Sequence, residues 1–279
     1  MAQPLLREID GLRERSQLPV IIAKLARHGI GAPLRISVMP DAKDRRRYLL
    51  TIDQGGLGLP DRDDYVRDDA RAKALRAGYD TYAVRLGSLA GLKDAAADAA
   101  TDYALQKDFA AASQSRVERR DPNAVYHLNT LATLDQRAPG MDWKSFLAAL
   151  GVEQPREFNV ASPGFVAGVA RAAADAPLAT WRAYLTLRVL DELAPVLPAN
   201  WVTARFHYRG TVIQGLQQHV SRPKQVIRVI TGRFGSEPLA EGLGELYVAR
   251  AFTPEAKARA LQMIADIKAA MWARIERLD

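Results

Sequence analysis

The sequence predicts a mainly α-helical protein, a multi-helix lobe with a small β-hairpin near its N-terminus. Three observations predict this class. Amphipathic runs with helical spacing recur along most of the 279 residues. Prolines and glycines fall at the ends of those runs. Two neighbouring segments near the N-terminus alternate as strands do. The hydrophobic content of 48% is sufficient for one large core or two smaller ones.

The first predicted elements are two amphipathic helical segments, at residues 5–12 and 18–25. Ser16 is a candidate N-cap for the second segment. Pro19 suits its first turn, because the missing N–H would be unpaired there in any case. Gly29 then ends the helix.

A β-hairpin is predicted next. Leu34, Ile36 and Val38 alternate with polar residues, and residues 48–52 are rich in strand-forming side chains. The connection between them is short and polar. Because a lone hairpin is only marginally stable, it must pack on helices.

Two long helices follow, at residues 63–90 and 93–118, with Gly91 between them. They are predicted to pair as an antiparallel αα-hairpin. Acidic residues crowd the start of the first helix, where the helix dipole favours negative charge.

The remainder of the chain is also predicted to be helical. Short helices are expected at 129–137 and 142–149, and an irregular segment at 151–162 is expected to hold a short strand at 157–160. This segment is also the candidate domain sub-boundary. Further helices are predicted at residues 163–174, 178–196, 200–220, 224–234, 239–251 and 254–278.

Composition narrows the functional classes. The chain has no cysteine, so it forms no disulfide and has no thiol ligand. No run of about 18 apolar residues is present, so no membrane span is predicted. Residues 1–25 lack the pattern of a signal peptide, and no compartment is predicted; a periplasmic or cell-envelope location is compatible with a longer protein. The net charge of +7 is spread among acids, which argues against nucleic-acid binding.

Zinc ligands of the peptidase type are not found in the sequence. A zincin places two histidines at i and i+4 of one helix with a glutamate beside the first. None of the four histidines here is followed by glutamate, and the closest pair is twelve residues apart. His207 and His219 could share one predicted helix, but they would then lie about 18 Å apart. Each histidine is therefore predicted to be structural or exposed to solvent, and no metal ligand is predicted.

Two other local patterns, an acidic cluster and a glycine-rich turn, resemble ligand-binding motifs but do not match them. Counting from Asp61, the acidic cluster has Val66 and Ala72 where a calcium-binding EF-hand needs glycine at position 6 and glutamate at position 12. The turn Gly55-Gly56-Leu57-Gly58 lacks the dinucleotide-binding spacing, and Asp61 would repel phosphate. The acidic cluster is therefore predicted to be a helix start, and the glycines are predicted to form a turn.

Several blocks nevertheless resemble one family. The stretch YLLTIDQGGLGLPDRDDYVRDDARAKALRAGY, residues 48–79, is similar to the N-terminal, non-catalytic region of the neprilysin and endothelin-converting-enzyme family of zinc metallopeptidases. Residues 113–152, 176–198, 206–210 and 243–275 resemble later parts of that region, in the same order. The resemblance covers nearly the whole chain.

The resemblance implies that residues 1–279 are the family's N-terminal domain, truncated at both ends and without the H-E-x-x-H half. It implies a helical lobe that faces a catalytic zinc lobe of the same or a companion chain. That lobe restricts access to small peptides. Zinc is expected only in the catalytic half, so the chain is predicted to be inactive by itself. No catalytic or metal residue is carried over, and the substrate-binding residues are unknown.

Two alternatives stay open. The chain could be a stand-alone helical module that binds peptides or proteins and pairs with a separate catalytic chain. It could also be a basic helical nucleic-acid binder, which salt-sensitive retention on DNA would reveal.

A lobe made to pack against another lobe should expose an apolar surface. The candidate surface is a stripe on the last predicted helix, formed by Leu261, Ile264, Ile267, Met271 and Ile275. The alternative, favoured from the sequence, is that this stripe packs on the chain's own core.

Overall fold

A four-stranded sheet and twelve α-helices make up the fold of residues 2–152, 155–231 and 239–277, the part of the chain that this computed structural model describes. The predicted mainly α class is confirmed. The chain divides into two compact units, Met1–Gln217 and Gln218–Asp279.

The predicted hairpin is present and forms one side of the sheet. Strands β1 (Leu34–Pro40) and β2 (Tyr48–Gln54) pair antiparallel, with Leu34 opposite Gln54. Two short strands from later in the chain extend it. These are β3 (Leu128–Asn129) and β4 (Phe158–Val160), and the strand order is β1-β2-β4-β3. β4 runs parallel to β2 and antiparallel to β3.

The candidate sub-boundary at 151–162 does not coincide with the division between the two units, which falls after Gln217. Phe158–Val160 instead pairs with strands on both sides, and all three of its residues are buried. This segment therefore lies inside the first unit.

The N-terminal helices are α1 (Ala2–Asp10) and α2 (Leu18–Arg27). Pro19 lies in the first turn of α2, as predicted. The prediction that Ser16 is the N-cap is wrong, because Ser16 lies within a 3₁₀ turn and Gln17 occupies the cap position.

The predicted αα-hairpin is formed by α3 (Ala70–Leu89) and α4 (Ala95–Ala112), which pack against each other. α3 begins later than predicted, because Asp61 and Asp64 cap a separate 3₁₀ turn and Asp69 caps the helix itself. α4 ends six residues earlier than predicted. The reason is that the backbone of Gln114 pairs with the side chain of Gln54 instead of continuing the helix.

The other helices of the first unit lie close to their predicted positions, apart from the last. They are α5 (Leu131–Arg137), α6 (Trp143–Leu150), α7 (Pro163–Asp175), α8 (Leu178–Leu193) and α9 (Ala199–Arg205). α9 continues as π-helical turns over Phe206–Val212. The helix predicted at 200–220 ends early, because Gly215 has φ +71° and its N–H closes the last turn on Thr211.

Two hydrophobic clusters form the core of the first unit. The first joins α2, α6, α7 and the sheet around fully buried aromatic side chains such as Trp143, Phe165 and Trp181. The second lies between α3, α8 and the π-helical turns, with Tyr79 and Tyr208 at its centre. Helix α8 contributes to both clusters, which explains why its sequence is apolar on more than one face.

The second unit contains α10 (Arg222–Thr231), α11 (Ala240–Ala251) and α12 (Pro254–Ile275). Residues 232–234 of the helix predicted at 224–234, and residue 278 of the last one, lie outside the described residues. The five stripe residues of α12 are between 47% and 59% exposed. The stripe therefore does not pack on the other described helices of the second unit.

Among the described residues, no helix combines the length and the apolar character that crossing a bilayer requires.

Candidate functional site

The four histidines lie apart from one another. His28 and His207 are exposed, and His219 lies in the second unit, where its Nδ1 is 2.7 Å from Gln225 Nε2. His127 is half-buried with its Nδ1 3.2 Å from the carbonyl oxygen of Val160. His207 and His219 do not share a helix, contrary to the predicted arrangement, because the helix ends at Gly215.

Over residues 2–152, 155–231 and 239–277, no three histidine or carboxylate side chains are placed to hold one metal ion. The acidic cluster near residue 61 has another use in the structure. Asp61 accepts a hydrogen bond from the Asp63 N–H, and Asp69 accepts one from the Ala72 N–H. These carboxylates cap helical turns.

A polar cluster, which we call the Asp53 cluster, joins the end of β2 to the loop after α4. It consists of Asp53, Gln54, Gln114, Arg119 and Ser162. Arg119 binds both carboxylate oxygens of Asp53, at 2.9 and 2.7 Å, and donates to Ser162 Oγ at 2.7 Å. Gln54 and Gln114 exchange two hydrogen bonds, at 3.0 and 2.8 Å. The cluster therefore fixes where the glycine turn after Gln54 begins.

Replacing Arg119 with alanine should lower the free energy of unfolding by about 2 kcal/mol, because the Asp53 carboxylate, which is 12% exposed, would lose two charge-assisted hydrogen bonds. Chemical denaturation measures this change. Arg120→Ala is the matched control, since Arg120 is exposed and its side chain has no ion pair with any described residue. Equal midpoints for the two variants would contradict the role given to the Asp53 cluster.

Buried tyrosines fasten the glycine turn itself. Tyr184 Oη donates to the Gly56 carbonyl and Tyr208 Oη donates to the Gly58 carbonyl, each at 3.0 Å. The Gly58 N–H donates to Gln106 Oε1 at 2.6 Å. A Cβ at Gly56 would lie 2.0 Å from Tyr184 Oη, and φ there is +70°. The turn therefore requires glycine, as predicted.

Below the turn lies a buried charged network that connects α3, α4, α8 and the π-helical turns. Asp102 accepts hydrogen bonds from Tyr79 at 2.5 Å and from Gln106 at 2.7 Å. Arg188 donates to Tyr79 Oη at 2.5 Å. Burial raises the pKa of the Asp102 carboxyl, although the nearby Arg188 acts in the opposite direction.

Asp191 is the second carboxylate of this network. It accepts hydrogen bonds from Tyr82 at 2.7 Å and from Arg209 at 2.5 Å. Burial alone would raise its pKa, but the charges of Arg209 and Arg188 outweigh burial and lower it to about 2. No local pattern predicts this network, because its hydrogen-bonded partners are up to 109 residues apart in the sequence.

An open cavity of about 300 Å³ lies beside the Asp53 cluster, where the glycine turn faces the loop after α4. Four arginines and one carboxylate line it, namely Arg35, Arg62, Arg116, Arg119 and Asp61. This cavity is the candidate binding site of the first unit.

The described residues form a mainly helical lobe, and no three histidine or carboxylate side chains among them are placed to hold one metal ion. The sequence profile of peptidase family M13, in its N-terminal domain form, matches residues 1–279. The chain belongs to peptidase family M13, and it corresponds to the N-terminal domain of this family of zinc metallopeptidases.

Relatives support this assignment. The chain is 27% identical to endothelin-converting enzyme-like 1 of Rattus norvegicus over 257 residues, which cover 90% of the chain and 32% of that protein. It is 36% identical to endothelin-converting enzyme 1 of Cavia porcellus over 131 residues, covering 46% of the chain and 17% of that protein. The chain thus spans about a third or less of the length of these relatives.

Solved structures have the same fold. The zinc metalloprotease ZMP1 of Mycobacterium tuberculosis, in complex with an inhibitor, is 29% identical with a TM-score of 0.85, covering 96% of this chain and 40% of that one. PepO of Lactobacillus rhamnosis is 17% identical with a TM-score of 0.78, covering 99% of this chain and 44% of that one. In this family zinc belongs to the catalytic half.

Proposed function

We propose that this chain is the substrate-restricting lobe of an M13 zinc metalloendopeptidase that acts on small peptides, and that it hydrolyses no peptide by itself. The lobe contributes exclusion and positioning. Bond breaking requires a zinc-activated water, and no H-E-x-x-H occurs in this sequence.

The exposed stripe of α12 supports the part of the proposal in which this chain binds a catalytic half. Its five side chains recur at intervals of three and four residues, so they share one face of the helix. Each is about half exposed. An apolar face of this kind marks an interaction surface. Its partner in this proposal is the zinc-bearing half of the same family, made either in the same polypeptide or as a companion chain.

The experiment combines the chain with an H-E-x-x-H-containing catalytic half of an M13 peptidase. The same cleavage sequence is offered once as a short peptide and once within the surface loop of a folded protein. We expect the two halves to co-purify and to cleave only the short peptide. Equal cleavage of both substrates would overturn the restricting role, and a failure to co-purify would overturn the pairing.

A further inference from the structure

The cavity beside the glycine turn has an unusual charge distribution. Of its 13 lining residues, four are arginines and one is an aspartate. Neighbouring carboxylates outside the lining offset part of this charge. Arg119 is paired with Asp53, and Arg62 lies 3.5 Å from Asp63. Arg116 is paired with Asp61 as well, so the excess positive charge of the cavity comes from Arg35, and this charge favours an anionic ligand.

Arg35 is the arginine that the protein leaves available. It is exposed, and its side chain forms no ion pair or hydrogen bond with any residue that the structure describes. It stands on β1, a rigid element of the sheet, at the register position opposite Asp53. A guanidinium with free N–H donors in a cavity is suited to bind a carboxylate or a phosphate group through two parallel hydrogen bonds.

The backbone of the turn adds a second, independent feature. Gly55, Gly56 and Leu57 all line the cavity, and their three consecutive N–H groups donate to no described residue. Gly56 takes the left-handed conformation. Successive backbone N–H groups in a turn with a left-handed residue form anion-binding concavities. Arg35 and the residues of this turn therefore line the same cavity.

Asp61, which the sequence analysis gave as a reason against phosphate, is engaged elsewhere. Its carboxylate lies 2.5 Å from Arg116 Nε and accepts the Asp63 N–H at 3.0 Å. Its charge is thus compensated by an ion pair and by the helical turn that it caps.

We propose that this cavity is a binding site for a small oxyanion, a molecule that carries a carboxylate or phosphate group, with Arg35 and the N–H groups of the Gly55-Gly56-Leu57 turn as its donors. A volume of about 300 Å³ is at the lower end of the range typical of small-molecule sites. The site is separate from the peptide-restricting role and does not depend on it.

Calorimetric titration of the full chain with inorganic phosphate and with citrate, at constant ionic strength, tests the proposal. We expect saturable binding at millimolar concentrations of at least one of the two. Binding of phosphate alone identifies a phosphate site, binding of citrate alone identifies a carboxylate site, and binding of both identifies a general oxyanion site. No saturable heat from either anion would overturn the proposal.

The variant Arg35→Gln should weaken this binding about tenfold, because it removes a charge-assisted contact. Arg45→Gln is the matched control. Arg45 is exposed without a partner among the described residues and lies in the connection at the opposite end of the β1–β2 hairpin. Equal weakening by both variants would show only non-specific attraction to a basic surface, and unchanged affinity of Arg35→Gln would remove Arg35 from the site.

Discussion

Replacing Asp191 with alanine is expected to lower the free energy of unfolding by about 3–5 kcal/mol, the largest loss from any single substitution considered. The substitution removes the carboxylate that is paired with Arg209 and that is one of the two buried carboxylates near Arg188. Each of these arginines already has a buried Nε atom with no hydrogen-bond partner. The loss should therefore exceed that of a surface ion pair.

Urea denaturation followed by circular dichroism gives the measurement. Glu192→Ala is the matched control. Glu192 is the next residue of α8, but it is exposed and forms no ion pair with a described residue, so its loss should change stability by less than about 0.5 kcal/mol. If both variants unfold at the same urea concentration, the buried network does not stabilise the fold as argued.

The pH dependence of the free energy of unfolding provides a second test of the stabilising role of Asp191. The folded-state pKa of Asp191 is lowered from 3.8 to about 2. The stabilisation is therefore fully present above pH 4 and is lost as the pH falls towards 2. Asp102, whose pKa is raised by burial, contributes with the opposite sign. The difference in the free energy of unfolding between the native protein and Asp191→Ala should therefore shrink as the pH falls over this range.

The second large effect is expected on the affinity of this chain for the zinc-bearing half. Ile267→Glu on the α12 stripe should weaken binding to the zinc-bearing half about tenfold or more, because it places an unpaired charge in an apolar interface. Ile267 is 52% exposed, so the fold of the chain alone should be unaffected.

The matched control for this variant is Ala269→Glu, which introduces the same charge about 200° around the helix. Ala269 is also exposed. Affinity for the zinc-bearing half is measured by surface plasmon resonance. Equal losses for Ile267→Glu and Ala269→Glu would place the contact elsewhere than on the stripe.

Local signals in the sequence were enough to predict most of the fold. The hairpin and the helix pair around Gly91 follow from alternation, spacing and breakers within one segment. The errors arise where distant contacts override local pattern. α4 ends at Ala112 because the side chain of Gln54, far earlier in the chain, forms hydrogen bonds with the backbone N–H and C=O of Gln114. The pairing of β4 with β2 likewise has no local signal.

At the candidate site, too, the sequence predicts the local features but not the contacts between distant residues. The glycine turn and its requirement for glycine could be predicted from the sequence, since Gly-Gly-x-Gly after a strand is a local pattern. The partners that fix the turn, Tyr184 and Tyr208, come from other helices and could not be. The unpaired state of Arg35 is also a property of the folded arrangement alone.

The stripe on α12 shows another limit of prediction from the sequence. Leu261, Ile264 and Ile267 form the pattern of a helix that buries one face, and that pattern is the same whether the buried face meets the chain's own core or another protein. The exposure of these side chains within the second unit is a property of the folded arrangement and cannot be read from the sequence.

The central claim of the proposed function is that the residues of this chain do not form a catalytic zinc centre. The most direct test is the zinc content of the purified chain, measured together with its hydrolysis of a short fluorogenic peptide, with the H-E-x-x-H half as the zinc-binding control. The account predicts substoichiometric zinc and no turnover by this chain. One zinc per chain together with peptide cleavage would contradict it.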